Sequence, residues 1–142
     1  MTQQEIQIIK DTIPVLKQKG EEITKYFYEC MFSKYPQVKP MFDENKQKNG
    51  EQPKALAMAV LMAAQNIENL ENTRKFVDKV AITHTKLNVK EEHYPIVGEC
   101  LLEAIKAVVG AGDDVINAWA SAYGEIAKFY IDIEKEIYAK AK

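Results

Sequence analysis

The chain has 142 residues and a mass of 16.2 kDa, which suits one domain, 1–142, with a core that needs no staples. Hydrophobic residues make up 46% and charged residues 28%, which excludes a disordered chain. The net charge of −2 comes without a clustered basic excess and excludes nucleic acid as the main partner.

Thr2 followed by Glu5 is a capping-box pattern, so a helix is expected from the start of the chain. Ile6, Ile9, Ile13 and Leu16 then recur at three- and four-residue spacing as one apolar stripe. Pro14 lies inside that stripe and is expected to kink the helix or start a new segment. Gly20 separates it from a second stripe of Ile23, Phe27, Cys30 and Met31, with Tyr28 beside them. Pro36 and Pro40 bracket a short helical turn ending at Met41 and Phe42. Asp43 to Gly50 is polar and lacks periodicity, which predicts a mobile surface loop.

Pro53 suits the first turn of the next helix, whose face is Leu56, Val60, Ala63, Ile67 and Leu70. A connector, Glu71 to Thr73, leads to Phe76, Val80, His84 and Leu87, with Asn88 as the stop. Pro95 opens a helix carrying Val97, Leu101, Ile105 and Val108, and Gly110 and Gly112 end it. Asp113 or Asp114 starts the last helix, which runs through Ile116, Trp119, Tyr123, Tyr130 and Ile137. No strand alternation is present. The fold class is all-α, with six or seven helices of unequal length, and the short elements at Pro36 and Pro40 disfavour a regular four-helix bundle.

No apolar run approaches the ~20 residues that cross a bilayer, and the N-terminus shows no secretory pattern, so membrane insertion is not expected and the cytoplasm is. Cys30 and Cys100 are then expected to be reduced packing residues. Gly110-Ala111-Gly112 lacks a third glycine and follows a helix, so it is no dinucleotide loop. His84 and His93 share no helix face and form no zinc motif. Glu91-Glu92-His93 lacks the spacing of a di-iron site.

His84 stands where its stripe calls for an aliphatic side chain. The residues alone leave two readings: a hydrogen-bonded core histidine, or an axial ligand to haem iron. Phe42 ends a corner that starts at Pro36 and can wedge against a flat macrocycle. Gln52 and Pro53 begin a helix able to face His84 across a gap. Tyr28 reads equally as a core tyrosine or as a donor to a bound ligand. Glu134 borders the buried face of the last helix, either leaning into water or accepting a hydrogen bond from His84.

Longer stretches carry a resemblance: Pro40-Met41-Phe42, Glu51-Gln52-Pro53-Lys54-Ala55-Leu56-Ala57-Met58, Ala64 to Leu70, His93-Tyr94-Pro95-Ile96-Val97-Gly98, and Ala118-Trp119. On these the chain resembles bacterial single-domain haemoglobins of the Vitreoscilla and Campylobacter type and the globin part of flavohaemoglobins. The resemblance covers essentially the whole chain. It implies a globin fold, a three-over-three helical sandwich around one haem b. It also implies His84 as iron ligand, Phe42 packed on the haem, Tyr28 as ligand-side donor, Gln52 at the pocket entrance and Leu56 lining it. Tyr94 and Glu134 match the pair that hydrogen-bonds around the proximal histidine. His93 is left as a surface or capping group. The implied function is dioxygen binding with nitric oxide detoxification to nitrate, using electrons from a separate reductase, since the chain ends at Lys142. The alternative is oxygen storage or delivery at low oxygen. The oligomeric state is left open.

Overall fold

A computed structural model of the chain describes residues 1–41, 51–86, 89, 91–110 and 112–141, with the side chains of 51–53 and 141 outside that set. The α-helices are α1 (Gln3–Lys34), α2 (Glu51–Gln65), α3 (Arg74–Lys86), α4 (Tyr94–Val109) and α5 (Asp113–Ala141). Short 3-10 turns at Pro36–Met41, Leu70–Thr73 and Glu91–His93 join them. Among the described residues there is no strand. The all-α expectation is borne out, and so is the turn bracketed by Pro36 and Pro40. The predicted loop Asp43 to Gly50, together with Phe42, Leu87 and Asn88, lies outside the described residues.

No new segment starts at Pro14, and Gly20 does not separate two helices: α1 runs through both as one 32-residue helix. Proline withholds one N–H, but helical stability in a folded chain comes mostly from packing of the apolar face. That face is continuous here, since Ile9, Leu16, Ile23, Phe27 and Met31 are all buried, and α1 packs along both α2 and α4. Gly20 has a packing role instead. A β-carbon there would sit 3.3 Å from Ala57 Cβ, so Gly20 marks the close crossing of α1 and α2.

The helix ends follow the residues that predict them. Thr2 Oγ1 accepts from the Glu5 amide at 3.1 Å while the Glu5 carboxylate accepts from the Thr2 amide at 2.9 Å. Pro95 sits in the first turn of α4, where its missing N–H costs no helical bond. Gly110 ends α4 at φ 69°, a conformation that favours glycine, and its N–H reaches Lys106 O at 3.0 Å. Asp113 and Asp114 open α5.

Among the described residues the apolar interior falls into two bodies. The larger joins α1, α2, α4 and α5 and includes Ile9, Met31, Cys100, Ile105 and Trp119, all at most 2% exposed. Trp119 Nε1 donates to Thr12 Oγ1 at 3.2 Å, so its indole N–H is not stranded in the core. The smaller body is Val77 and Ala81 of α3 with Ile133 of α5, flanked by Phe76, Phe129, Tyr130 and Ile137. The helix α3 packs mainly on the second half of α5, while α1 carries the contacts to α2 and α4. Among the described residues only α5 contributes to the buried centre of both bodies.

The two cysteines are free, Cys100 in the main core and Cys30 half-buried beside it. Cys30 Sγ donates to Glu103 at 2.8 Å, and burial, with that carboxylate, pushes the thiol up to about 12. A thiol so protected is a packing group rather than a nucleophile. Among the described residues no helix is long and apolar enough to cross a membrane.

Candidate functional site

His84 lies in the last turn of α3, Tyr94 opens α4, and Glu134 lies in the second half of α5. Folding brings these three together from positions 10, 40 and 50 residues apart. His84 Nδ1 lies 3.0 Å from Glu134 Oε1. The Tyr94 hydroxyl donates to both carboxylate oxygens, to Oε2 at 2.9 Å, and stands 3.5 Å from His84 Nδ1. Glu134 is 4% exposed, so the carboxylate is buried with its hydrogen-bond partners around it. Burial, reinforced by the bond to Glu134, holds the Tyr94 phenol well above its ordinary range.

The trio is braced by its neighbours. The Tyr123 hydroxyl donates to Tyr94 O at 2.7 Å. Gly98 makes room for that ring, since a β-carbon at 98 would lie 2.8 Å from Tyr123 Cε2. Val89 N–H donates to His84 O at 2.9 Å, and the Tyr138 hydroxyl donates to Val89 O at 2.8 Å. A cavity of about 220 Å³ lies alongside, lined among others by Val89, Tyr94, Glu134 and Tyr138. Sequence reasoning missed Tyr123, Tyr138 and Val89. A signal existed for the first, because a glycine inside a strong helical pattern such as Gly98 marks close packing. None existed for Val89, which acts through its backbone.

Tyr28 is buried in the main core, its ring edge-on to Phe27 with centroids 5.0 Å apart and tilted against Phe32 at 5.7 Å. Leu56 of α2 is half-buried against the same core. The far end of α2 approaches the smaller body, where Met62 and Ala63 come together with Phe76 and Tyr130. Phe42 and the side chain of Gln52 lie outside the described residues. His93 takes the N-cap position of α4 without a side-chain cap bond, so the capping role allowed for it is not made.

The donor set can be tested against a metal. Among the described residues no group of three or more His, Cys, Asp or Glu side chains could hold an ion. A lone imidazole with Nδ1 committed to a carboxylate leaves Nε2 as its only donor nitrogen. That set fits a metal already chelated by a macrocycle, and haem iron is held in this way.

Comparison with known proteins agrees. The globin family model matches residues 25–129. A solved bacterial globin from Campylobacter jejuni is 64% identical with a TM-score of 0.96, the match covering 97% of this chain and 99% of that one. A flavohemoprotein of Bacillus thuringiensis subsp. konkukian is 49% identical over 141 residues, covering 99% of this chain and 35% of the relative. The chain thus spans about a third of the length of that curated relative. A flavohemoglobin from Malassezia yamatoensis, solved with bound FAD and heme, is 30% identical with a TM-score of 0.88, covering 97% of this chain and 37% of that one.

Proposed function

Because the chain belongs to the globin family, we propose that it holds one haem b through His84, binds dioxygen there, and converts nitric oxide to nitrate. The carrying observation is the buried carboxylate of Glu134 against His84 Nδ1, with Tyr94 locked to the same carboxylate. The similarity to flavohemoproteins supports the nitric oxide chemistry. When bound, haem supplies an iron centre for dioxygen binding and for reaction with nitric oxide. Nitrate formation from dioxygen and nitric oxide consumes one electron, which a separate reductase supplies.

The side chains divide the work. Glu134 accepts the Nδ1–H of His84, which fixes the tautomer, leaves Nε2 unprotonated for iron and makes the imidazole a stronger electron donor. Tyr94 keeps the carboxylate in place, and burial, which raises its pKa above the ordinary value, keeps it a hydrogen-bond donor into the alkaline range. An electron-rich proximal ligand favours oxygen activation over reversible storage. Tyr28, buried in the main core, would offer its hydroxyl as a hydrogen-bond donor to a ligand of the bound haem, where burial strengthens such a bond. Leu56 would line the pocket by apolar packing; Phe42 and Gln52 are assigned to the haem face and the entrance by the family resemblance of their sequence stretches alone.

The test begins with purified chain and haemin. One equivalent should bind with an intense Soret band, and His84→Ala should lose the haem or the normal ligand spectrum. A folded chain that takes up no haem sinks the reading. With haem bound, nitric oxide is added to the dioxygen-loaded protein with a reductase present. Sustained consumption coupled to nitrate supports the proposal. A single stoichiometric burst under ample reductant overturns the enzyme and favours an oxygen carrier.

A further inference from the structure

Val89 is held at both of its backbone polar atoms. Its N–H donates to His84 O, and its carbonyl accepts from the Tyr138 hydroxyl. The first bond spans five residues and closes the end of α3, satisfying a carbonyl the helix cannot pair internally. The second crosses to α5, one turn beyond Glu134. The helix α5 therefore reaches His84 twice, at the imidazole through Glu134 and at the backbone through Tyr138 and Val89.

The cavity shows why the second route counts. It opens between Val89, Glu134 and Tyr138. A backbone segment facing open space lacks packing partners on that side, so a directed bond must hold it. Among the described residues the other tie nearby is the Lys135–Glu91 pair at 3.5 Å, and both side chains are more than 60% exposed. A solvated pair of this kind contributes too little to fix a backbone.

We infer that Tyr138 is a positioning residue for His84, setting the backbone of the imidazole through Val89 independently of the Glu134 bond. The tether stands on the hydrogen bonds alone, and its effect on a metal ligand rests on the function proposed above.

Tyr138→Phe removes the hydroxyl and keeps the ring. Amide hydrogen exchange of the purified chain reads the tether directly. The Val89 amide should exchange about two- to tenfold faster than in the parent, as expected for one lost hydrogen bond. In the haem-loaded ferrous protein the iron–histidine stretching band in the resonance Raman spectrum should shift and broaden at unchanged haem content. Lys135→Gln, at the mouth of the same cavity, should leave both readouts at their parent values. Unchanged Val89 exchange in Tyr138→Phe overturns the inference. Faster exchange with an unmoved band also overturns it, since Tyr138 would then serve stability alone. Failure of the parent chain to take up haem would refute the proposed function, while the exchange of Val89 would still decide the tether.

Discussion

Glu134→Gln and Glu134→Leu probe the trio at its centre without any need for a bound group. In the parent, the buried carboxylate accepts from His84 Nδ1 and from the Tyr94 hydroxyl. Hydrogen bonds to a charged acceptor contribute about 1.5–3 kcal/mol each, neutral ones about 0.5–1.5. Glutamine keeps one carbonyl acceptor and loses the charge, so a loss of about 1–2 kcal/mol is expected. Leucine leaves both donors without an acceptor. His84 is 29% exposed and recovers part of its bond from water, so most of the cost falls on Tyr94 and the total should be about 2–4 kcal/mol. With a urea slope of about 2 kcal/mol/M, the leucine variant should unfold about 1–2 M earlier in urea. Circular dichroism of the two variants, of Tyr94→Phe and of the Tyr94→Phe/Glu134→Gln pair completes a cycle. A coupling of about 1 kcal/mol is expected between directly bonded groups. Strictly additive losses, or both Glu134 variants within about 0.5 kcal/mol of the parent, would refute the reasoning.

Gly98→Ala should cost about 1–3 kcal/mol, because the new methyl collides with the Tyr123 ring, whereas Gly124→Ala meets nothing within 4 Å and should gain about 0.5–1 kcal/mol; urea midpoints that move in the same direction would contradict this. Alkaline pH should unfold the chain. Burial, with Glu134 nearby, raises the phenols of Tyr94 and Tyr123 above their ordinary 10 and pushes Tyr130 up to about 12. The unfolded chain releases these protons near pH 10 and the folded chain keeps them, so stability is intact below pH 10 and falls as pH rises towards 12 and beyond. Phenolate absorbance should show Tyr94, Tyr123 and Tyr130 ionising late, together with unfolding; all seven tyrosines ionising near pH 10 in a folded chain would rule this out. Tyr28→Phe should speed dioxygen release by about one to two orders of magnitude in stopped flow, the worth of a bond to a charged acceptor; an unchanged rate would remove Tyr28 from the ligand side.

What was legible in the sequence is what a few neighbouring residues decide. Thr2 with Glu5, Pro95, Gly110 and Asp113 act within one turn, and they mark the helix ends where local chemistry puts them. Pro14 does not end α1 because its local penalty is outweighed by a buried face extending from Ile9 to Met31, which no local window weighs. At the site, Glu134 was suspected from its place on a helix face, but its bond to His84 joins residues 50 apart and is set by how α3 packs on α5. Tyr138 and Val89 stayed hidden because a backbone carbonyl looks the same at every position.

An interior divided into two apolar bodies does not open as one. Among the described residues the smaller body buries only Val77, Ala81 and Ile133, so the amides of α3 should exchange through local openings at a lower free energy than those of α1 or α4. A ligand gripped from both sides would merge the two bodies and make the melting transition more cooperative, with mass action setting the gain. Proteolytic susceptibility of α3 would then report how many copies carry their ligand, and a protease that samples local openings would remove the empty ones first.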